Sequence, residues 1–256
     1  MIRLDAATVL LQWAIGGMLF TWVTTRGRLL GIGYGWLMRI VYGLLAIGGV
    51  YIGRRYQPVA VRDISGACVV ALCLWGLAVS YRRRRVGPAG AGSFDPRIDL
   101  VTALVGVPAL ISGGWAAGGN HGLAIARMIV GALFLGVVTD AMLLGHWYLV
   151  QPGLSRDPIK EQVRWMMIIW PFEIVVMMLP TGMVSVIDGT IKDGYNGTLG
   201  WFWIACVVTT MGLAIAAQAA LKEKAYSAVM AATGLTYLSI LSGFGMDLVA
   251  RAVLAG

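Results

Sequence analysis

Charged residues are scarce in this chain. Asp, Glu, Lys and Arg make up 12% of its 256 residues, whereas hydrophobic residues make up 59%, and the mean hydropathy is +0.79. A soluble domain typically carries about 25% charged residues. A chain with half that share cannot cover a surface that faces water, so the composition excludes an ordinary soluble protein.

Histidine and cysteine are nearly absent as well. The only histidines are His121 and His146, which lie roughly 37 Å apart if one helix joins them at 1.5 Å per residue. They cannot ligate the same iron, so a bis-histidine haem within this chain is excluded. Cys68, Cys73 and Cys206 fall inside apolar stretches, without the spacing of a zinc site or a redox pair. We expect no metal and no cofactor held by this chain alone. A quinone remains open as a ligand, and haem ligation by a His/Met pair or with a partner's histidine remains a weaker alternative.

Long apolar blocks make up most of the chain. Their length, near 20 residues, is what a helix needs to cross a hydrocarbon core of roughly 30 Å, and they lack the alternation of a membrane β-barrel. The sequence predicts an all-α polytopic transmembrane helix bundle of about eight spans. Residues 1–256 are expected to form a single integral membrane domain with no soluble domain. The predicted spans are residues 6–23, 36–52, 64–81, 100–117, 123–150, 165–187, 201–221 and 226–249.

The basic residues predict an orientation. The net charge is +8, but the Lys and Arg residues stand mostly at the ends of apolar blocks, as in membrane proteins, so no nucleic-acid partner is expected. Their distribution predicts that both termini lie outside a bacterial cytoplasmic membrane. Arg3 is counted on the outer side and weakens the bias. Arg127 is expected to extend to the outer surface. The glycine-rich stretches at 31–35 and 87–96 are predicted to be flexible turns.

Two carboxylates inside apolar blocks are the principal candidates for function. Asp140 lies in the fifth predicted span and Glu173 in the sixth. Because a short turn joins these spans, they are expected to be antiparallel neighbours that hold the two acids at one depth. An ionised carboxylate there costs about 3 kcal/mol or more, so a proton, a basic partner or water must offset the cost. The alternative is a neutral acid that only holds helices together.

Further candidates surround these acids. His146 could pass protons between the inner surface and the acids, or bind a quinone carbonyl, since its ordinary pKa is near 6.5. Pro171 interrupts the sixth span beside Glu173 and frees a backbone carbonyl. Thr139, Trp147 and Tyr148 complete the expected ligand-binding set. Asp247 and Arg251, four residues apart, are predicted to form a structural ion pair on one helix face.

Three functions are consistent with these residues. The first is an integral membrane subunit of a redox or proton-coupled complex, with a proton or quinone site made by Asp140, Glu173 and His146 and with other membrane or peripheral redox subunits as partners. The second is a small-solute or ion transporter that uses an intramembrane acid pair. The third is a structural or assembly subunit without chemistry, and whether the chain is an enzyme stays open. The first is preferred because no internal repeat, of the kind that many transporters have, is evident.

Overall fold

The computed structural model describes residues 5–86, 94–180 and 182–255, and within these residues it contains nine α-helices and no strand. The predicted fold class, an all-α polytopic bundle of about eight spans, is confirmed. The predicted turn at 87–96 lies mostly outside the described residues, as does Arg3. The helices are α1 (Ala6–Thr25), α2 (Ile32–Tyr56), α3 (Ala60–Val86), α4 (Arg97–Ala116), α5 (His121–Val150), α6 (Asp157–Met178), α7 (Met183–Ile187), α8 (Thr198–Ala220) and α9 (Tyr226–Ala255).

Polar side chains mark where the two central helices begin. Asp5 accepts a hydrogen bond of 2.6 Å from the backbone N–H of Thr8 at the start of α1, and Asn120 accepts one of 3.1 Å from that of Leu123 at the start of α5. Both residues satisfy a donor that the first helical turn leaves free. The caps therefore fix where α1 and α5 enter the apolar interior.

Helices α1 and α5 form the centre of the bundle. Of their most apolar segments, 67% and 72% of the residues are buried, compared with 28 to 50% in the other five helices long and apolar enough to cross a membrane. α1 packs against α2, α4 and α5, and α5 packs against α4, α6 and α9. Polar residues on α1 and α5 therefore lie inside protein, whereas the outer helices expose apolar side chains such as Leu44 and Val208.

The bundle has two ends that the contacts between helices define. The Asp5 end, where α1 begins, also holds the start of α3, because Arg62 binds Asp5. It holds the end of α9 as well, because Arg251 donates to the backbone carbonyl of Arg127, near the start of α5. The Arg26 end, where α1 finishes, holds the start of α6, because Arg26 pairs with Glu161. Positions below are given relative to these two ends.

The sixth predicted span, residues 165–187, is divided in the structure. α6 begins earlier, at Asp157, and ends at Met178, whereas α7 covers only Met183–Ile187. The break follows from Pro180, because a proline cannot continue a helix and forces the preceding residue, Leu179, into an extended conformation (φ −61°, ψ 147°). α6 nevertheless packs against α5 and α8 inside the bundle.

The glycine-rich stretch at 31–35 is a helix start, and its prediction as a flexible turn is wrong. α2 begins at Ile32, so Gly33 and Gly35 lie in its first turn. A Cβ on Gly33 would come within 2.9 Å of the Trp147 ring, and one on Gly35 within 2.2 Å of the Phe94 ring. These glycines therefore allow close packing of aromatic rings.

Candidate functional site

Asp140 is completely buried on α5 and is surrounded by hydroxyl groups. Tyr34 donates to its Oδ2 at 3.1 Å, Tyr42 donates to its Oδ1 at 3.1 Å, and the Thr24 hydroxyl lies 3.3 Å from Oδ2. Asp140 and these three residues of α1 and α2 are called the hydroxyl cage below. In the described part of the chain no Lys, Arg or His forms an ion pair with Asp140.

The hydroxyl cage can accommodate Asp140 with or without a proton. When the carboxyl group is ionised, both tyrosine hydroxyls donate to it. The Thr24 hydroxyl also lies 2.9 Å from the carbonyl of Thr21 and 3.0 Å from that of Phe20. Since a hydroxyl has one proton and two lone pairs, Thr24 can donate to a carbonyl and accept from a protonated Asp140. The cage therefore supplies partners for both protonation states.

Local packing fixes the positions of the two tyrosines. Tyr42 is fully buried against Gly17 of α1, where a Cβ would lie 2.0 Å from its ring. Tyr34, in the first turn of α2, is also fully buried, and its ring lies 5.9 Å from that of Trp147. Of the two, only Tyr42 lies inside the predicted span 36–52, and Tyr34 falls in the stretch predicted as a turn, so the sequence did not indicate that they meet at Asp140.

The other candidates predicted near Asp140 have structural contacts of their own. Thr139 accepts a 2.8 Å bond from the Trp13 indole, and Trp147 donates to Gln151 at 3.2 Å. Tyr148 is buried and donates to the Ser155 carbonyl. Only Trp147, through Tyr34, touches the hydroxyl cage.

His146 is exposed on α5. It lies six residues beyond Asp140, about 9 Å along the helix axis, and within the described residues no hydrogen bond or ion pair joins it to Asp140 or Glu173. The structure therefore does not bring the three members of the expected proton relay together.

Glu173 lies in a second polar cluster, nearer the Asp5 end. Its Oε1 is 3.9 Å from Nη2 of Arg251, and Arg251 also pairs with Asp247 through Nε and Oδ1 at 2.6 Å. Arg127 interacts electrostatically with both Arg251 and Glu173. Glu173, Asp247, Arg251 and Arg127 are called the charged quartet below, and each is at most 4% exposed.

Arg127 does not extend to the outer surface, and that prediction is wrong. Its Nε donates to the carbonyl of Val176 at 2.8 Å and its Nη2 to that of Leu179 at 3.1 Å. These carbonyls belong to the last turn of α6, which has no further helical N–H groups to bind. Arg127 therefore caps the carboxyl end of α6.

Asp140 and Glu173 share no partner in the described residues, so the expected acid pair is not formed. Helices α5 and α6 are neighbours, but α6 begins at Asp157, so Glu173 lies nearer the Asp5 end than Asp140 and the expected common depth is wrong. Arg127 faces α6, and Asp140 follows it by 13 residues, which is about 20 Å along α5 and about 220° around it. Asp140 therefore points toward α1 and α2. Pro171 lies on the exposed side of α6, and the helix continues past it to Met178.

A close backbone crossing separates the two polar clusters. A Cβ on Gly16 of α1 would lie 1.7 Å from the carbonyl oxygen of Ala132 on α5, and one on Gly136 would lie 2.3 Å from the carbonyl carbon of Gly16. Gln12, on the Asp5 side of this crossing, bonds the Arg127 carbonyl. Small residues permit such contact between membrane helices, so the clusters are kept apart by packed backbone.

Sequence reasoning missed two buried arginine sites. Arg39, fully buried, binds Asp99 at 2.6 Å and the carbonyls of Gly76 and Asp95. Arg62, also fully buried, binds Asp5 and Asp63 at 2.6 and 2.9 Å. Each arginine is held between helices, so these sites join α2 to α4 and α1 to α3. For Arg39 the available signal was its position inside the predicted span 36–52, because an arginine there requires an acidic partner; Arg62 lies outside the predicted spans and gave no such signal.

The loop between α7 and α8 carries two exposed acids outside the membrane spans. Hydrogen bonds from Thr190 lower the pKa of Asp188. Backbone N–H groups, that of Gly197 first and then those of Tyr195 and Leu199, lower the pKa of Asp193. Asp193 therefore organises the turn that leads into α8.

Comparison of the chain with models of protein families, with curated proteins and with solved structures finds no match.

Proposed function

We propose that the chain is the membrane subunit of a proton-coupled or redox complex and that Asp140 binds the proton. The hydroxyl cage is the observation that supports this function. A structural carboxylate in an apolar interior is ordinarily neutralised by a basic partner, as Asp99 is by Arg39 at 2.6 Å. Asp140 has hydroxyl partners instead, and these serve an acid that gains and loses a proton.

Tyr34 is the proposed neighbour through which the proton reaches Asp140. It lies in the first turn of α2, next to Trp147, and Trp147 in turn bonds Gln151 at the end of α5. This chain of contacts leads from the Arg26 end of the bundle to Asp140. A hydroxyl group can receive one proton while it releases another, so Tyr34 takes the role that the sequence suggested for His146.

The proposal is tested on the complex purified from its native membrane and reconstituted into liposomes that contain a pH-sensitive dye. An imposed membrane potential drives proton movement. Asp140→Asn should lower the rate at least tenfold and Tyr34→Phe should lower it less, while the exposed-loop control Asp188→Asn should leave it unchanged. An Asp140→Asn rate equal to that of the natural protein would overturn the assignment. If the chain purifies alone, with no partner, the proposal that it is a subunit of a complex is overturned.

Quinone is the proposed electron carrier if the complex is a redox complex. His146 supports this because it is exposed on a membrane-spanning helix and carries ring nitrogens that can bond a quinone carbonyl. Thermal unfolding with and without a short-chain quinone tests it: the quinone should raise the melting temperature of the natural protein and not that of His146→Ala. Equal shifts in both proteins would reject His146 as the quinone contact.

A small-solute or ion transporter is the second candidate. A cavity of about 390 Å³ between α1 and α9 supports it, lined by Asp5, Trp13, Phe244 and Arg251 among others. This volume lies within the range of small-molecule sites, roughly 300–1,000 Å³. Solute-dependent proton movement by the chain reconstituted alone would favour the transporter over the complex.

We also propose that both termini lie outside a bacterial cytoplasmic membrane. Exposed Lys and Arg side chains in the described residues are concentrated at the Arg26 end, and the positive-inside bias places such an end in the cytoplasm. At the Asp5 end the exposed ones are Arg54, Arg55 and Lys192. At the Arg26 end they are Arg26, Arg28, Arg82, Arg83, Arg84, Arg97, Lys160, Arg164, Lys222 and Lys224. Single cysteines at positions 57 and 224 are labelled from outside intact cells to test this. Labelling at 57 alone is expected, and labelling at 224 alone would show that the orientation is the opposite.

A further inference from the structure

Unpartnered polar atoms are concentrated in and beside the charged quartet. A buried polar atom without a hydrogen bond is rare in proteins, and each instance requires an explanation. The atoms without a partner at this place in the described residues are Oε1 and Oε2 of Glu173, Oδ2 of Asp247, Nη1 of Arg251 and Oε1 of Gln12. Three of these five atoms belong to two carboxyl groups.

These two carboxyl groups face each other. Glu173 on α6 and Asp247 on α9 interact electrostatically and share Arg251, whose Nε lies 2.6 Å from Oδ1 of Asp247. Asp247 uses its Oδ1 to bind Arg251, so its free Oδ2 is the oxygen left for Glu173. Nη2 of Arg251 lies 3.9 Å from Oε1 of Glu173, which is too far for a hydrogen bond.

Two ionised carboxylates in this arrangement would repel each other and would have no donor between them. Two carboxylates that share a site do not both ionise readily. A single proton on one of them supplies the missing donor, forms a carboxyl–carboxylate hydrogen bond and leaves one negative charge. That charge stays beside Arg251, whose Nε lies 2.6 Å from Oδ1 of Asp247.

We infer that Glu173 and Asp247 form a second proton-binding site, which holds one proton between the two carboxyl groups. Binding forms one O–H bond on a carboxylate oxygen, and release returns that proton without any other bond changing. Asp247 thereby has a role beyond its ion pair with Arg251. The site is independent of the Asp140 proposal, because the quartet and the hydroxyl cage share no residue.

The charged and titratable groups that face this site are few. α5 contributes Arg127, and α9 contributes Arg251. α1 contributes the neutral Gln12. On α8, Cys206 packs against Gly245, two residues before Asp247, where its sulfur would lie 2.9 Å from an added Cβ. α7 carries no titratable residue between Met183 and Ile187. The cavity between α1 and α9 reaches Arg251 and provides the route by which a proton enters from the Asp5 end.

Infrared difference spectroscopy of the purified protein in lipid nanodiscs tests the inference. Protonated carboxyl groups have a C=O stretching band that shifts when the sample is transferred from H₂O to D₂O. The natural protein should show such a band that disappears in Glu173→Gln and also in Asp247→Asn. Asp140→Asn is the matched control and should leave this band in place. A variant is compared only if its circular dichroism and gel-filtration profile equal those of the natural protein.

The outcomes separate the two proton sites. Persistence of every protonated-carboxyl band in Glu173→Gln and Asp247→Asn would overturn the shared proton and leave Asp140 unaffected. If both variants fail to fold, Asp140→Asn decides the matter alone. The shared proton is overturned if every protonated-carboxyl band of the natural protein disappears in Asp140→Asn. Loss of a band in Glu173→Gln and in Asp247→Asn supports the shared proton. If proton movement in Asp140→Asn also equals that of the natural protein, the Asp140 proposal is rejected while the pair stands.

Discussion

Replacing Gly16 by alanine would place a methyl group in the backbone crossing of α1 and α5. The new Cβ would lie 1.7 Å from the carbonyl oxygen of Ala132, whereas ordinary contact begins at 3.4 Å. The helices must therefore separate by on the order of 2 Å, and overpacking of this kind costs about 1–3 kcal/mol. The higher helix propensity of alanine returns up to about 1 kcal/mol, so the variant should be destabilised by about 1–2 kcal/mol.

Gly212→Ala on α8 is the matched control, because a Cβ there meets nothing within 4 Å. It makes the same chemical change in a helix without the clash and should unfold at the same temperature as the natural protein or slightly higher. Thermal unfolding in detergent, followed by circular dichroism, compares the two. At about 2–4 °C per kcal/mol for a chain of this size, Gly16→Ala should melt several degrees lower. A melting temperature equal to that of Gly212→Ala would refute the view that packed backbone holds the crossing closed.

Three further predictions concern the buried arginines and the exposed loop. Arg39→Met leaves Asp99 buried without its cation and should cost about 3–5 kcal/mol of unfolding free energy, measured by urea or thermal unfolding. The double variant Arg39→Met with Asp99→Leu should recover most of this loss. No recovery would show that the broken ion pair is not the cause of the destabilisation. Arg62→Met should be similarly destabilising, since its two acidic partners also lose their cation. The pKa of Asp193 is lowered by its backbone partners. Its contribution to the stability of the loop is therefore present above the ordinary pKa near 3.9 and is lost as the pH falls through the lowered pKa. Proteolysis of the loop should increase in acid in the natural protein, and Asp193→Asn should be susceptible to proteolysis at every pH.

The fold class could be predicted from the sequence because the membrane requires it. Apolar blocks of spanning length admit only helices in which the backbone groups bind one another, and α1, α5 and α8 follow their predicted spans closely. The division of the span at 165–187 was also predictable from Pro180. It was missed because apolar composition was given more weight than the backbone restriction that proline imposes.

The contents of the candidate site were harder to predict. The sequence placed Asp140 and Glu173 at one depth because the predicted sixth span began at residue 165, whereas α6 begins at Asp157. Rotation about the helix axis was the second unknown. Rotation depends on which face of α5 meets α6, and only the contacts of Arg127 reveal it. The Glu173–Asp247 contact joins residues 74 positions apart on α6 and α9, helices whose register no local pattern determines.

The broken end of α6 has an electrostatic consequence for the charged quartet. A helix carboxyl end carries about half a negative elementary charge, and here Arg127 binds the carbonyls of Val176 and Leu179 that bear it. With both acids ionised, the two guanidinium groups leave a balance of about −0.5, and with one shared proton the balance becomes about +0.5. The two states are therefore equally far from neutrality. An uninterrupted helix would have removed that half charge and left the fully ionised state close to balanced, so the proline break biases this site toward accepting a proton.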